Sequence, residues 1–340
     1  MSLGKTFSFQ ACTVPAMLLF AEYDEALLQS HVEEFQAAAG VAGTFSVNCI
    51  HKARDPGRDQ MVFALMHETG RTLVLKKDFQ AGKSWIEREY RLFEKLQPHF
   101  ESSGKNRIVT PVYLAADKSF HITEFAEGRT ATDILLTPSS PAQVNQVFRR
   151  AGAWLHHLHS FSPEEPEKIW MQWVFDELER AAADHAVISQ EHYARYTSQL
   201  LDQSRSLQGS PCPRVFSHGD FHSDNLILGS GIARGLDLAY AKHKPAIYDV
   251  ADFLASDITT QAERAEIGPG GVRRASTEFF FKTYRRSFSA SILNFHLRAR
   301  LLLKLAHIRV SEVEENPRAR KRFAILLARL EEAFSQPLDG

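Results

Sequence analysis

The stretch Val215–Leu238, VFSHGDFHSDNLILGSGIARGLDL, decides how this chain is read. Two apolar runs, Val215–Phe216 and Leu226–Leu228, flank a polar segment, so His218, Asp220 and Asn225 fall in a loop between buried elements. Gly229–Gly231 is a turn signal that reverses the chain into the apolar segment Ile232–Leu238, which carries Asp237. A hairpin of this kind returns Asp237 to the side of Asn225. A carboxylate and a carboxamide oxygen then face one point. Hard oxygen ligands in small number suit Mg²⁺, which completes its shell with phosphates and water. Asp220 is placed to accept a proton from a hydroxyl group.

The spacing D-x-x-x-x-N, with an aspartate on the next apolar segment, is that of a kinase catalytic loop, and Asp237 stands where the metal-binding aspartate would be. The segment therefore reads as a phosphoryl-transfer centre. A metallohydrolase zinc site on His218, Asp220 and His222 is the competing use of the same side chains. It requires strand-like alternation, whereas Gly219 and the Ser-Asp-Asn continuation read as a loop.

Composition bounds the remainder. At 340 residues, 44% hydrophobic and 24% charged, the chain has ordinary globular composition and room for two lobes. A formal net charge of −1 gives no argument for nucleic acid or an anionic membrane surface. Apolar runs stop well short of the roughly eighteen residues of a membrane span, and no signal pattern opens the chain, so a soluble cytoplasmic protein is expected. Cys12, Cys49 and Cys212 are too scattered for a disulfide framework and read as small buried hydrophobes. No feature of the sequence speaks to oligomeric state.

Tyr23–Ala39 has loose helical spacing that ends at Gly40. Phe45–Ile50, Met61–Met66 and Thr72–Lys76 then predict three sequential antiparallel strands, separated by DPGRD and HETG. Period two sends Lys76 and Lys77 to opposite faces, so one can point inward to a phosphate. Trp85–Leu96 is a strongly amphipathic helix with Glu87 and Glu89 early in it. The tetrapeptide AGKS at 81–84 is no P-loop, because that motif needs glycine at position 77, which is Lys77. Ile108–Ala115 and Ser119–Phe125 predict another strand pair with a turn at Asp117. Hydrophobicity falls abruptly at Ala126–Thr130, which is the expected lobe junction. Residues 1–126 would form a nucleotide-binding lobe, 124–129 the hinge, and 127–340 a catalytic and substrate-binding lobe. Backbone groups of Glu124 to Ala126 can read an adenine edge. Helical spacing follows in Pro141–Ser160, Ile169–Asp184, His192–Gln208, Ala246–Ser256, Phe279–Ile308 and Phe323–Phe334. His156, His157 and His159 suit a helix C-terminus better than a metal site. Asp249 reads as a cap of its own helix or a tie to the loop behind it.

The segments FSHGDFHSDNLIL, GLDLAYA and IYDVADF resemble, in order and spacing, the aminoglycoside phosphotransferase and choline kinase superfamily, the small-molecule branch of the protein-kinase-like fold. Weaker likeness runs through LVLK, IEREYRLF, ITEFAEGRT and AWLHHLHS. The resemblance implies an α+β, two-lobed fold with an antiparallel sheet and helix in the first lobe and a mainly helical second lobe. It also implies Asp220 as the base that orients the substrate hydroxyl and His218 as scaffold. Asn225 and Asp237 would be ligands of Mg²⁺, Lys76 the partner of the ATP phosphates, Glu89 the residue that positions Lys76, and Asp249 structural. The expected activity is transfer of the γ-phosphate of ATP to a hydroxyl of a small molecule: a sugar, an amino alcohol or an antibiotic. A nucleotide-binding pseudokinase with a regulatory role is the alternative.

Three departures bear on the substrate. Gly219 stands where protein kinases carry arginine, and no APE-like segment follows, which points away from a protein substrate. No G-x-G-x-x-G covers the phosphates, leaving Ala53–Asp59 and Gly40–Gly43 as candidates. Residues 261–330 are rich in arginine, namely Arg273, Arg274, Arg285, Arg286, Arg298, Arg300, Arg318, Arg320 and Arg322, the opposite of what a polycationic acceptor should meet. Solvated helix faces are the plainer use of these side chains.

Overall fold

Alternation along residues 60–78 sets the first layer. The computed structural model describes residues 25–52, 60–79, 85–182 and 188–339. After helix α1 (Glu25–Ala39), strands β1 (Phe45–Lys52), β2 (Gln60–His67) and β3 (Thr72–Asp78) pair antiparallel in sequence order. With β5 (Pro111–Leu114) and β6 (Phe120–Glu124), which follow helix α2 (Trp85–Glu101) and strand β4 (Asn106–Ile108), they make a five-stranded sheet of order β1-β2-β3-β6-β5. Met61, Phe63, Leu65, Leu73 and Leu75 bury against Leu28, Val32 and Phe35 of α1, which recur at helical spacing. Period two then forces Lys77 onto the α1 face and Lys76 onto the face toward α2. Lys77 ends at the rim, where its Nζ donates to Ser119 Oγ at 2.7 Å.

Two sequence expectations change in this layer. The run Ile108–Ala115 is not one strand: β4 leaves the sheet and pairs in parallel with β11 (Ile232–Gly235), Ile108 opposite Gly235. The Trp154 indole donates to the Arg107 carbonyl at 2.7 Å and pins β4 there, a long-range bond that periodicity does not report. Cys49, read as buried, is exposed on edge strand β1; Cys212 is buried, and Cys12 lies outside the described residues.

The remaining chain runs through β7 (Arg129–Thr130), α3 (Ala131–Leu136), α4 (Pro141–His159), β8 (Glu165–Lys168), α5 (Gln172–Ala182), α6 (Gln190–Leu207), β9 (Pro211–Ser217) and β10 (Leu226–Gly229). After β11 follow β12 (Lys242–Pro245), α7 (Ile247–Leu254), α8 (Arg274–Phe281), α9 (Ala290–Ala306), α10 (Val310–Glu315) and α11 (Pro317–Ser335). Helix α4 is the spine. Ser140 caps it by accepting from the Gln143 N–H, Pro141 opens its first turn, and Val144, Phe148, Ala151, Trp154, Leu155 and Leu158 bury one face. Among the described residues no helix is long and apolar enough to cross a membrane.

Helix boundaries moved where tertiary bonds compete with local spacing. The expected helix Ile169–Asp184 starts only at Gln172, because the Ile169 N–H donates to the Ser210 carbonyl and Lys168 ends a strand paired with β9. The expected single helix Phe279–Ile308 is two, α8 and α9. Between them the buried Tyr284 reaches His159 and Arg286 reaches the His159 carbonyl, contacts a continuous helix would not make. The last helix begins six residues before the expected Phe323, with Asn316 as its cap and Pro317 in its first turn.

Packing of α4 against α8 depends on Gly152. A Cβ built there would lie 2.2 Å from the Phe280 carbonyl oxygen, which is backbone and cannot swing aside. Gly152→Ala gains about 1 kcal/mol of helix propensity but incurs overpacking of about 1–3 kcal/mol. We expect net destabilisation of about 1–2 kcal/mol, read as a lower denaturant midpoint at unchanged m-value.

Candidate active site

The loop after β9 is shaped by a carboxylate that it does not contain. Asp249, fully buried on α7, accepts from two successive backbone N–H groups, those of His218 at 2.6 Å and Gly219 at 2.9 Å. The same carboxylate accepts from His159 Nε2 at 3.0 Å, and His159 Nδ1 faces the Tyr284 hydroxyl at 2.8 Å. Burial opposes the Asp249 charge, yet His159, His218 and the Gly219 N–H hold its carboxyl below the usual carboxylate range. Burial also pushes His159 below its usual value, so its neutral ring donates at Nε2 and accepts at Nδ1. Of the two sequence readings of Asp249, cap or tie, the geometry is that of a tie. His159 was the unforeseen partner: it lies ninety residues away, and nothing local marks it.

Gly219 is the residue that lets this loop pass. Its φ is +85°, and a Cβ there would stand 2.4 Å from the Tyr240 carbonyl oxygen and 3.1 Å from Lys244 Nζ. Any side chain would clash with the backbone at Tyr240. His218 is buried; its Nε2 donates to the Leu236 carbonyl at 2.8 Å and its Nδ1 accepts from the Asp220 N–H. Both nitrogens are committed to backbone, which removes His218 from the zinc reading, and no cluster of three His, Cys, Asp or Glu side chains that could hold a metal occurs among the described residues.

Asp220, by contrast, keeps 43% of its side chain accessible. Asn225 Nδ2 donates to the Asp220 carbonyl at 2.9 Å, fixing the loop across the five-residue spacing and leaving Asn225 Oδ1 with no hydrogen bond among the described residues. His222 stands between Asp220 (3.7 Å) and Asp224 (3.4 Å). Burial alone would lower its pKa, but the two carboxylates push it up to about 9, so the ring is charged at neutral pH. The ring also lies 3.2 Å from Asn225 Nδ2, and its Nδ1 faces the Asp224 N–H at 3.3 Å.

The second half of the site joins the two layers. Lys76 Nζ donates to Glu89 Oε2 of α2 at 2.7 Å and to Asp237 Oδ1 at 2.9 Å. Burial alone would depress Lys76, but the two carboxylates override it and raise its pKa; burial would raise Glu89, but Lys76 and His121 hold its carboxyl low. Asp237 does not continue β11, as the sequence reading had it. It sits in the left-handed region, φ 55° and ψ 60°, at the start of the short 3₁₀ turn Leu238–Tyr240. The Leu236 N–H donates to the Asn225 carbonyl at 3.0 Å, so Asp237 and Asn225 are neighbours. Asp237 Oδ2 and Asn225 Oδ1 are hard oxygens with no hydrogen bond among the described residues, which fits a divalent ion that completes its shell with phosphates and water.

The remaining predicted positions separate. The Glu124 N–H donates to the Thr110 carbonyl and its side chain pairs with Arg71 at 2.5 Å, so neither is available to a base. Ala126 is buried, yet its N–H and C=O have no partner among the described residues. Gly40–Gly43 lies at the Phe45–His67 end of the sheet, away from Lys76, where Gln36 and His67 bond its carbonyls; it cannot cover phosphates at Lys76. Ala53–Asp59 and Ala81–Ser84 lie outside the described residues. Four of the nine arginines of the C-terminal third are tied into the fold. Arg273 pairs with buried Asp257, Arg286 with Glu164 and Arg300 with Asp252, while Arg298 donates to the Pro269, Ala333 and Gln336 carbonyls. Arg274, Arg285, Arg318, Arg320 and Arg322 are exposed, as expected of solvated helix faces, although Arg274 and Arg320 also bond carbonyls.

The sequence profile of the phosphotransferase enzyme family, APH, matches residues 51–287. The chain belongs to that family. It is a phosphotransferase enzyme. Comparison with the curated proteins yields no match. Among solved structures the fold is similar to amicoumacin kinase in complex with AMP-PNP and Ca²⁺, with TM-score 0.60, 16% identity, and coverage of 93% of this chain and 95% of that one. Glucosamine kinase with glucosamine, ADP and phosphate gives 0.59 at 16% identity, covering 89% and 86%. A choline/ethanolamine kinase family protein from Mesorhizobium loti gives 0.56 at 14% identity, covering 91% and 98%.

Removing Asp249 strands two buried N–H groups and the His159 ring. Asp249→Ala should cost about 3 kcal/mol or more, since each stranded buried donor costs about 1–3 kcal/mol. Chemical denaturation followed by tryptophan fluorescence measures it, and Cys212→Ala, a small change elsewhere in the core, should cost clearly less.

Proposed function

We propose that this enzyme moves the γ-phosphate of ATP, with Mg²⁺, to a hydroxyl of a small molecule, with Asp220 as the base. The observation that carries the reading is the shared ammonium of Lys76, held between Glu89 and Asp237. That arrangement fixes one cation and one metal-binding carboxylate at the same point, where a nucleotide's phosphates would place their charge. Glu89 has no exposure to speak of, so its role is to hold Lys76 extended. Asn225 and Asp237 would hold the metal, which supplies charge neutralisation for the transferring group. Asp220 lies on the exposed side of the loop, its carbonyl tied by Asn225, and would orient the acceptor hydroxyl and take its proton. The Ala126 backbone, buried and without partners among the described residues, would meet the adenine edge. On this reading 1–126 is the nucleotide-binding lobe, 124–129 the hinge and 127–340 the catalytic lobe.

Asp220→Asn should lower transfer by about 10²–10⁴-fold, the usual range for a general base, while leaving nucleotide affinity nearly unchanged. Lys76→Ala should weaken nucleotide binding as well as transfer. A coupled ADP-release assay together with titration calorimetry of AMP-PNP separates the two, and wild-type turnover in Asp220→Asn would remove Asp220 from its role.

A further inference from the structure

A cavity of about 450 Å³ opens beside the catalytic loop. Gly219 forms part of its wall, next in the chain to Asp220, and β8, β9, β12, α5, α7 and α9 supply the rest. Asp249 holds the loop backbone and Asp252 pairs with Arg300 through both oxygens, while Glu167 stands 3.8 Å from Arg214 with its Oε2 in no hydrogen bond among the described residues. Two cations remain. Lys242 and Lys244 alternate along β12, so their side chains leave the same face of that strand and both line the cavity. Neither has a carboxylate within ion-pair distance among the described residues. Among the described residues the one polar contact of the Lys244 ammonium is the Gly219 carbonyl at 3.5 Å, the far limit of a hydrogen bond, and the ammonium stands 3.1 Å from where a Gly219 Cβ would be.

Burial pushes the Lys244 ammonium below its usual value. A partly desolvated ammonium that feels the Asp249 and Asp252 carboxylates only at a distance remains costly unless something negative visits it. A neutral or cationic visitor would leave that cost in place or raise it; an anion removes it. The opposite wall is aromatic. Trp173 Nε1 donates to the Tyr248 hydroxyl at 2.9 Å, with ring centroids 5.0 Å apart, which presents a fixed apolar surface to a carbon skeleton. Asp252 ties the cavity to the reaction site. Burial, with the negative charges of Asp249 and Asp220 acting against Arg300, pushes its carboxyl up to about 6.

Resting on the O-kinase reading above, we propose that the acceptor is a hydroxyl compound that also carries a carboxylate or a phosphate, and that Lys242 and Lys244 receive that anionic group in the cavity beside Gly219. The arginine-rich C-terminal third is not the source of this selectivity, since its buried arginines are paired within the fold. The selective charge comes from a short strand that sequence periodicity passed over.

The test is titration calorimetry of the full chain, saturated with AMP-PNP and Mg²⁺, against four compounds of one carbon skeleton: gluconate, glucose 6-phosphate, glucose and glucosamine. At least one anion should bind about tenfold or more tighter than glucose and glucosamine, the order of a hydrogen bond to a charged group. The difference between the two anions tells a carboxylate from a phosphate acceptor. The double variant K242Q/K244Q should abolish that preference. Equal or tighter binding of glucose or glucosamine, absence of binding by both anions, or an unchanged preference in K242Q/K244Q would each overturn the inference. Because AMP-PNP cannot be turned over, these results are independent of catalysis. ADP release from ATP with whichever compound binds tests the O-kinase reading separately.

Discussion

The Asp249 carboxylate is the constraint on which the site depends. It sits on a helix, accepts from two consecutive N–H groups of a loop, and is itself held by a neutral His159. Two adjacent donors bonded to two oxygens of one rigid carboxylate leave the backbone at residues 218–219 a single orientation. That orientation requires the positive φ of Gly219, and it directs the His218 ring inward and the Asp220 side chain outward. A fully buried charge is costly, and this one is tolerated because its hydrogen bonds replace the water it lost.

The second dependency is the ammonium of Lys76. It bonds Glu89 from the first layer and Asp237 from the second, so one side chain couples the antiparallel sheet to the loop beyond β11. Asp237 holds a left-handed conformation costing about 1 kcal/mol or more, which surrounding contacts must offset. Strain of this kind persists where the neighbours over-determine the backbone; here they are the Leu236 N–H bond to Asn225 and the Lys76 contact. Charge elsewhere follows the same economy. Arg273, Arg298 and Arg300 are spent inside the fold on Asp257, helix-end carbonyls and Asp252, whereas Lys242 and Lys244 are not.

Much of the fold was legible. Alternation located β1, β2 and β3 within a residue or two, because a half-buried strand must alternate. Apolar spacing located α4 to within a residue and fixed the start of α2, which runs on past the expected Leu96 to Glu101. The misreadings share one cause. The split of 108–115, the late start of α5, the break between α8 and α9 and the whole of β8 and β12 are each decided by bonds to residues far along the chain.

By itself the sequence determined the chemistry on offer: a loop holding Asp220 and Asn225 at five-residue spacing, a returning Asp237, a strand lysine and a helix glutamate. Those are local facts, since loops, turns and alternation are governed by neighbours in the chain. Only the tertiary structure decided which partners hold that chemistry in place. Asp249 lies 90 residues from His159 and 31 from His218, and Lys76 lies 161 from Asp237. Burial and electrostatic pairing act through space, so no window of sequence contains them.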